Sequence, residues 1–338
     1  MNNISVIDCT LRDGGYLNNW NFNNEFRQNI LQALVESNID IIECGFISEK
    51  NGSDLNGTNF KSLNKVNEIL LKNNFKENSS KFAVMLKLNE FDINNLADCN
   101  HSKNQISIIR VMVYQNEIEK SIGKIRKIIE KGYEVHIQPT IISHYSDTEI
   151  IQMLTMFNQL NYGSIAIVDT FGALNPVKIK NITKIFDTYA KSSAALTIHC
   201  HNNLSLAYEN TLSFVESINK DRKTFIDSSL LGLGRGCGNL PTEKIIQWLN
   251  IEKNKNYKYK HIHNFCLTQF NNFDRSISEK DYYAYSITAK RNIHPNYATK
   301  LILSGYKKEH IEKILSKITE DNSQTFNEEK LQNICKQL

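Results

Sequence analysis

A chain of 338 residues, 41% hydrophobic and 22% charged with 14 glycines and four prolines, buries a sizeable core and is neither disordered nor fibrous. Its 40 basic and 36 acidic residues leave a net charge of +4; the basic clusters at 120–131 and 253–260 are local and lack a recognisable nucleic-acid module, so solvated faces explain them. No apolar run approaches the roughly 18 residues needed to span a bilayer, and the N-terminus runs straight into Ile4-Ser5-Val6-Ile7, so a cytoplasmic protein is expected.

In chain order, short β-branched runs at 4–8, 39–46, 82–88, 106–113, 134–140, 165–169, 196–201 and 225–231 predict eight strands. Helix-period segments lie between them. The segment 117–131 places Ile118, Ile122, Ile125 and Ile129 on one stripe, and Asn175 is an N-cap before Pro176 at the first helical position. Pro241 opens another helix after a glycine-rich stretch. Eight β-then-α units predict an α/β fold with a parallel sheet that closes as a TIM (β/α)8 barrel, which takes about 250 residues. An open doubly wound sheet is the alternative. From about 252 the strand rhythm stops, and a Lys/Asn/Tyr-rich linker, Asn254 to Lys260, leads into helical patterns through Leu338. The expected division is a catalytic barrel at 1–251 and a smaller C-terminal helical region at 252–338. Seven cysteines without a C-x-x-C pair fit a reducing compartment, with most as small core residues.

A barrel carries its chemistry at the C-terminal ends of its strands. The first end offers Arg12-Asp13-Gly14-Gly15-Tyr16, the second Glu43, the sixth Asp169-Thr170 and the seventh His199-Cys200-His201-Asn202-Asn203. Residues i and i+2 of a strand share a face, so His199 and His201 present two imidazoles to one point. With a carboxylate from another strand end they make a two-histidine, one-carboxylate metal site, and Asp13 is the best third ligand. The competing reading has Asp13 capping a turn, Arg12 paired with Glu43, and the histidines filling the mouth. After the eighth strand, Gly232-Leu233-Gly234-Arg235-Gly236-Cys237-Gly238-Asn239 could cradle a phosphate, but it matches neither a Walker nor a Rossmann pattern.

Thr10-Leu11-Arg12-Asp13-Gly14, Glu43, His199-x-His201-Asn202 and Gly232-x-Gly234-x-Gly236-x-Gly238-Asn239 together resemble the DRE-TIM metallolyase (HMGL-like) superfamily over about residues 4 to 245. The segments 199–206 and 238–243 are most similar to those of 4-hydroxy-2-oxovalerate aldolase-like proteins. The condensing synthases of that superfamily carry other residues at Gly15-Tyr16 and Asn203, and Cys237 sits at too short a spacing to match the loop cysteine of the acyl-CoA lyases.

This resemblance implies a divalent-metal-dependent aldolase, a carbon-carbon lyase acting between a pyruvate-like 2-oxo acid and an aldehyde. The alternatives are a Claisen-type acyltransferase or acyl-CoA lyase, and a non-catalytic barrel scaffold. Asp13, His199 and His201 would hold Mn²⁺ or Mg²⁺, with Asn239 a further ligand. Arg12 would bind the enolate oxygen, Thr170 and His199 would contact substrate, and Glu43 would orient Arg12. The general base stays open. The aldolases place a histidine three residues after the metal-binding acid, where this chain has Tyr16; tyrosine, with an ordinary pKa of about 10, needs assistance in that role. Tyr282, Tyr283, Tyr285 and His294 are the other candidates. Lys87 and Arg110 either neutralise an anionic aldehyde or form interior ion pairs. The C-terminal region does not match the one through which bacterial hydroxyoxovalerate aldolases dock an aldehyde dehydrogenase, so the expected partners are small molecules and, at most, a second copy in a homodimer.

Overall fold

The computed structural model describes residues 3–53, 57–73, 75, 79–101, 105–270, 279–319, 321 and 323–337. Its strands are β1 (Ile4–Asp8), β2 (Ile41–Ile47), β3 (Asn59–Phe60), β4 (Lys81–Lys87), β5 (Ile106–Val113), β6 (Glu134–Pro139), β7 (Ser164–Asp169), β8 (Ala195–Cys200) and β9 (Thr224–Ser228). All eight predicted strands are present, and only the two-residue β3 was not anticipated. They pair in parallel as β1–β2–β4–β5–β6–β7–β8–β9, and β9 returns to β1, so the sheet closes. This is the TIM barrel, and the open-sheet alternative is excluded. β3 adds to the far end of β2 alone. Runs such as β2, β7, β8 and β9 are buried at every position, as strands of a parallel sheet covered on both sides require.

Alternation along the strands sorts the barrel interior into layers. Ile7, Cys9, Ile41, Ala83, Ile108, Ala195 and Phe225 form an apolar cluster low in the barrel, separate from the main core. Two residues further along the same faces come Glu43, Arg110 and Asp227; further still come Lys87 and His199. The interior thus changes from apolar to charged toward the mouth. β2 gains one residue against β4 between Glu43 and Phe46, a bulge close to that mouth.

The helices wrap the barrel. In Ile118–Glu130 the buried stripe is Ile118, Ser121, Ile125 and Ile128, with Ile122 and Ile129 partly buried against the same core. Asn175 caps Pro176–Tyr189, its side-chain oxygen accepting from the Lys178 N–H at 2.9 Å. Thr242–Glu252 follows Pro241.

Beyond residue 252 come Tyr259–Gln269, Glu279–Lys290, Asn296–Leu303, Lys308–Leu315 and Glu328–Lys336. Residues 271–278, 320, 322 and 338 of the expected helical region lie outside the described ones. The main core runs on through Tyr257, Ile262, Cys266 and Phe270, whereas Ala284, Ile293, Tyr297, Leu301, Ile311 and Ile314 belong to a second cluster. That second unit is pinned to the barrel mouth: Ser143 Oγ donates to Asn292 Oδ1 and His144 Nε2 donates to the Asn292 carbonyl, both at 2.7 Å. Among the described residues no helix is long and apolar enough to cross a membrane. All seven cysteines are free; Cys9, Cys44, Cys200 and Cys266 are buried.

Candidate active site

β1 ends at Asp8, and one helical turn, Thr10–Asp13, carries the chain over the mouth. The Trp20 indole N–H donates to the Arg12 carbonyl at 2.7 Å and fixes that turn. Gly15 is needed for this close approach, because a Cβ there would stand 2.1 Å from the Trp20 ring. The Asp13 carboxylate is thereby brought to β8. Its Oδ2 lies 3.4 Å from His201 Nε2 and 3.9 Å from His199 Nε2, and the three residues form a buried group that could hold a metal ion.

The opposite ring nitrogens are already taken. His199 Nδ1 donates to Asp227 Oδ2 and His201 Nδ1 to the Asp169 carbonyl, each at 3.0 Å. With the proton held on Nδ1, the Nε2 lone pair of each ring faces Asp13, the tautomer a metal requires. Burial pulls the His199 pKa below its ordinary value, against the pull of Asp227, so the ring is neutral. Burial alone would raise the Asp13 pKa, but Arg12 and the two imidazoles outweigh it and hold the carboxyl well below its usual range. One carboxylate and two imidazole donors, all nine-tenths buried or more, suit a divalent cation.

Asn239 adds a fourth polar side chain. Its amide nitrogen donates to Asp13 Oδ2 at 2.5 Å and to the Leu233 carbonyl at 3.1 Å, while its buried Oδ1 has no hydrogen-bond partner. An orphaned buried oxygen beside a ligand group is the expected mark of a donor awaiting a cation. A second triad, Cys9, His199 and Asp227, also has its donor atoms close together. Its thiol is ill suited to the role, because burial pushes the Cys9 pKa well up and the Asp227 oxygen is engaged by Arg110 and His199.

Below the ligand group the charged layer closes into a ring. Asp13 bonds Arg12 Nη1; Arg12 Nε donates to Glu43 Oε2 at 2.7 Å; Glu43 Oε1 lies 3.2 Å from Arg110; Arg110 bonds Asp227; and Asp227 holds His199. Glu43, Arg110 and Asp227 have almost no exposure, so each charge depends on its neighbours for compensation. Arg110 is an interior ion pair and stays outside the cavity, which decides between its two expected roles. Glu43 likewise reaches the site only through Arg12.

The cavity above has a volume of about 210 Å³ and is lined by Arg12, Asp13, Tyr16, Thr170, His199 and His201, along with Lys87, Arg235 and His294. Arg12 Nη2 makes no hydrogen bond among the described residues and is the free donor edge of that guanidinium. Thr170 Oγ1 accepts from the Ile141 N–H at 2.6 Å, so its hydroxyl is partly engaged. None of Tyr282, Tyr283 and Tyr285 lines the cavity: the first sits against Ser205, the second donates to Glu312 and the third pairs with Thr299. His294 does line it, delivered by the C-terminal unit.

The glycine-rich stretch folds back on itself. Gly238, with φ of +84°, leaves room for the Gly232 carbonyl, which would stand 2.0 Å from a Cβ, and Asn239 N–H donates back to that carbonyl at 2.9 Å. Asn203 braces the loop, accepting from the Cys237 N–H at 2.8 Å and donating to the Phe171 carbonyl at 2.9 Å. The loop positions Asn239 and Arg235. Cys237 does not line the cavity.

Sequence reasoning passed over Asp227 and Arg235. For Asp227 a signal existed: a carboxylate in an otherwise apolar strand must be paired when buried.

The site is a cluster of one carboxylate and two imidazoles, able to hold a metal ion, at the mouth of a closed parallel barrel, and that combination defines the class. The HMGL-like family model matches residues 3–269, and the chain belongs to that family. A 4-hydroxy-2-oxovalerate aldolase of Carboxydothermus hydrogenoformans is 28% identical over 249 residues, 72% of this chain and 69% of that one. A 2-isopropylmalate synthase of Buchnera aphidicola is 25% identical over 74% of this chain and 48% of its own. Among solved structures, the N-terminal domain of a "putative aldolase" from Bacteroides vulgatus superposes with a TM-score of 0.74 at 23% identity, covering 91% of this chain and 99% of that one.

Proposed function

We propose that the chain is a divalent-metal-dependent aldolase that makes or breaks a carbon-carbon bond between a pyruvate-like 2-oxo acid and an aldehyde. The observation that carries it is the convergence of Asp13, His199 and His201, their outer nitrogens pre-set, beside the free edge of Arg12. Relatives named 4-hydroxy-2-oxovalerate aldolase support the substrate class.

Asp13, His199, His201 and Asn239 would hold the cation, which supplies positive charge to polarise the 2-oxo group. Two imidazole donors favour Mn²⁺ over Mg²⁺, since Mg²⁺ prefers oxygen ligands. Arg12 Nη2 donates to the enolate oxygen as charge builds there, and Glu43 keeps the guanidinium in place. In the cleavage direction the hydroxyl proton leaves, the adjacent carbon-carbon bond breaks, the aldehyde departs and the enolate carbon takes up a proton. Tyr16 lines the cavity and its hydroxyl makes no hydrogen bond among the described residues, so it is assigned the proton transfer at the substrate hydroxyl.

Proton NMR of pyruvate in D₂O tests this. Enzyme- and metal-dependent deuterium entry into the methyl group, abolished by EDTA, is expected; no exchange with pyruvate, together with release of coenzyme A from acyl-CoA substrates, would move the chain to the Claisen-type reaction.

A further inference from the structure

Among the described residues, Arg235 is the cation at the cavity that no carboxylate pairs with. Arg12 is held by Glu43 and Asp13, and Lys87 by Glu90 at 3.2 Å. Arg235 lies with its guanidinium carbon 4.2 Å from the centre of the Tyr16 ring, and among the described residues it forms neither an ion pair nor a hydrogen bond. Stacking on an aromatic face orients a guanidinium and leaves its N–H edge free, the arrangement that binds carboxylate or phosphoryl oxygens in a forked contact.

A second donor stands nearby. His294 Nδ1 accepts the Asn296 N–H at 3.1 Å, and burial together with Arg235 pushes the His294 pKa down to about 3. The ring is therefore neutral, with its proton on Nε2, which makes no hydrogen bond among the described residues. A nitrogen in that state donates and does not act as a base. Tyr114, Thr140, Ile141, His294 and Gln324 also line an adjacent cavity of about 670 Å³, space a short aliphatic aldehyde does not need.

We propose that Arg235, with His294 Nε2–H as second donor, binds an anionic group on the aldehyde, a carboxylate or a phosphoryl group, so that the acceptor is an anionic and extended aldehyde. The proposal rests on the aldolase reading above and adds the chemical class of its second substrate. Tyr16, which carries the Arg235 guanidinium on its ring, lines the same cavity as the ligand group.

The test is condensation with pyruvate and Mn²⁺ using two matched pairs: glyceraldehyde 3-phosphate against glyceraldehyde, and succinic semialdehyde against butanal. In one arm the charged member is expected to exceed its neutral partner in kcat/KM by roughly tenfold or more, the scale of a hydrogen bond to a charged group. The arm that shows the preference tells phosphoryl from carboxylate. In Arg235→Gln the ratio falls toward one, chiefly through a higher KM for the charged acceptor, and Arg235→Lys recovers part of it. If Arg235→Gln does not fold, Arg235→Lys alone must lower the ratio. Equal kcat/KM within both pairs, or a preference that survives these substitutions, overturns the proposal. Pyruvate exchange is followed in the same wild-type preparation: exchange without charge preference removes the acceptor assignment alone, and absence of both exchange and condensation removes the aldolase reading with it.

Discussion

His199 Nδ1 stands 3.0 Å from Asp227 Oδ2, and that same oxygen also takes the buried guanidinium of Arg110. One carboxylate oxygen thus sets the tautomer of the imidazole proposed to hold the metal and anchors an interior cation. Asp227 feels burial, which would raise its pKa, yet Arg110 and His199 bring it down to about 2, so it is ionised throughout the working range.

Asp227→Asn tests this relationship. The amide oxygen can still accept, but the negative charge that makes His199 a better ligand is lost. Mn²⁺ affinity measured by calorimetry is expected to fall roughly 10–100-fold. An unchanged dissociation constant would remove Asp227 from the support of the ligand group.

His199→Ala and Asp13→Ala are expected to abolish metal-dependent exchange while keeping the native far-UV circular dichroism, because both side chains sit at the barrel mouth, above its apolar layer. Global unfolding in either variant would return that residue to a structural role.

Arg12 serves Asp13, Glu43 and the cavity with different nitrogens. Lysine offers a single ammonium and cannot serve all three at once. Arg12→Lys is predicted to retain Mn²⁺ but lose roughly 10²–10³-fold in turnover, the cost of one donor to a developing oxyanion. Wild-type turnover in this variant would sink the assignment.

Burial raises the Asp8 pKa to about 6 despite hydrogen bonds from Thr10 and Thr242. A folded-state value above the unfolded one means the folded chain holds the proton more tightly, so this group's stabilisation is present at low pH and is lost between about pH 4 and 6. Relative to wild type, Asp8→Asn is therefore expected to gain melting temperature as pH rises from 4 to 7. A difference in Tm that stays constant across this range would contradict the raised value.

Gly238→Ala forces a Cβ onto the Gly232 carbonyl at a φ of +84°. Backbone cannot yield as a flexible side chain would, so the loop and Asn239 must move. A loss of about 1–3 kcal/mol in stability and weaker Mn²⁺ binding are expected together; a stability loss with metal affinity intact would show that Asn239 is no ligand.

Several of these residues could be found without coordinates. The i, i+2 spacing of His199 and His201 and the eight apolar runs are local signals, and the structure places them where those signals pointed. Tyr16 and His294 were both candidate bases by residue type. Only the Asn296 N–H on His294 Nδ1 shows that this ring is a donor, and only their distance from the cavity sets the three C-terminal tyrosines aside.

The sequence by itself determined the eight barrel strands, the layered alternation and hence the barrel, because side-chain period and β-branched runs are properties of adjacent residues. The tertiary structure alone decided which charges meet. Asp13, Glu43, Arg110, Asp227 and His199 come from five different strands or strand ends, and only barrel closure brings them together. Arg235 illustrates the same limit. That it stacks on Tyr16 and meets no carboxylate among the described residues follows from what the rest of the fold places around it, which no local pattern in the chain encodes.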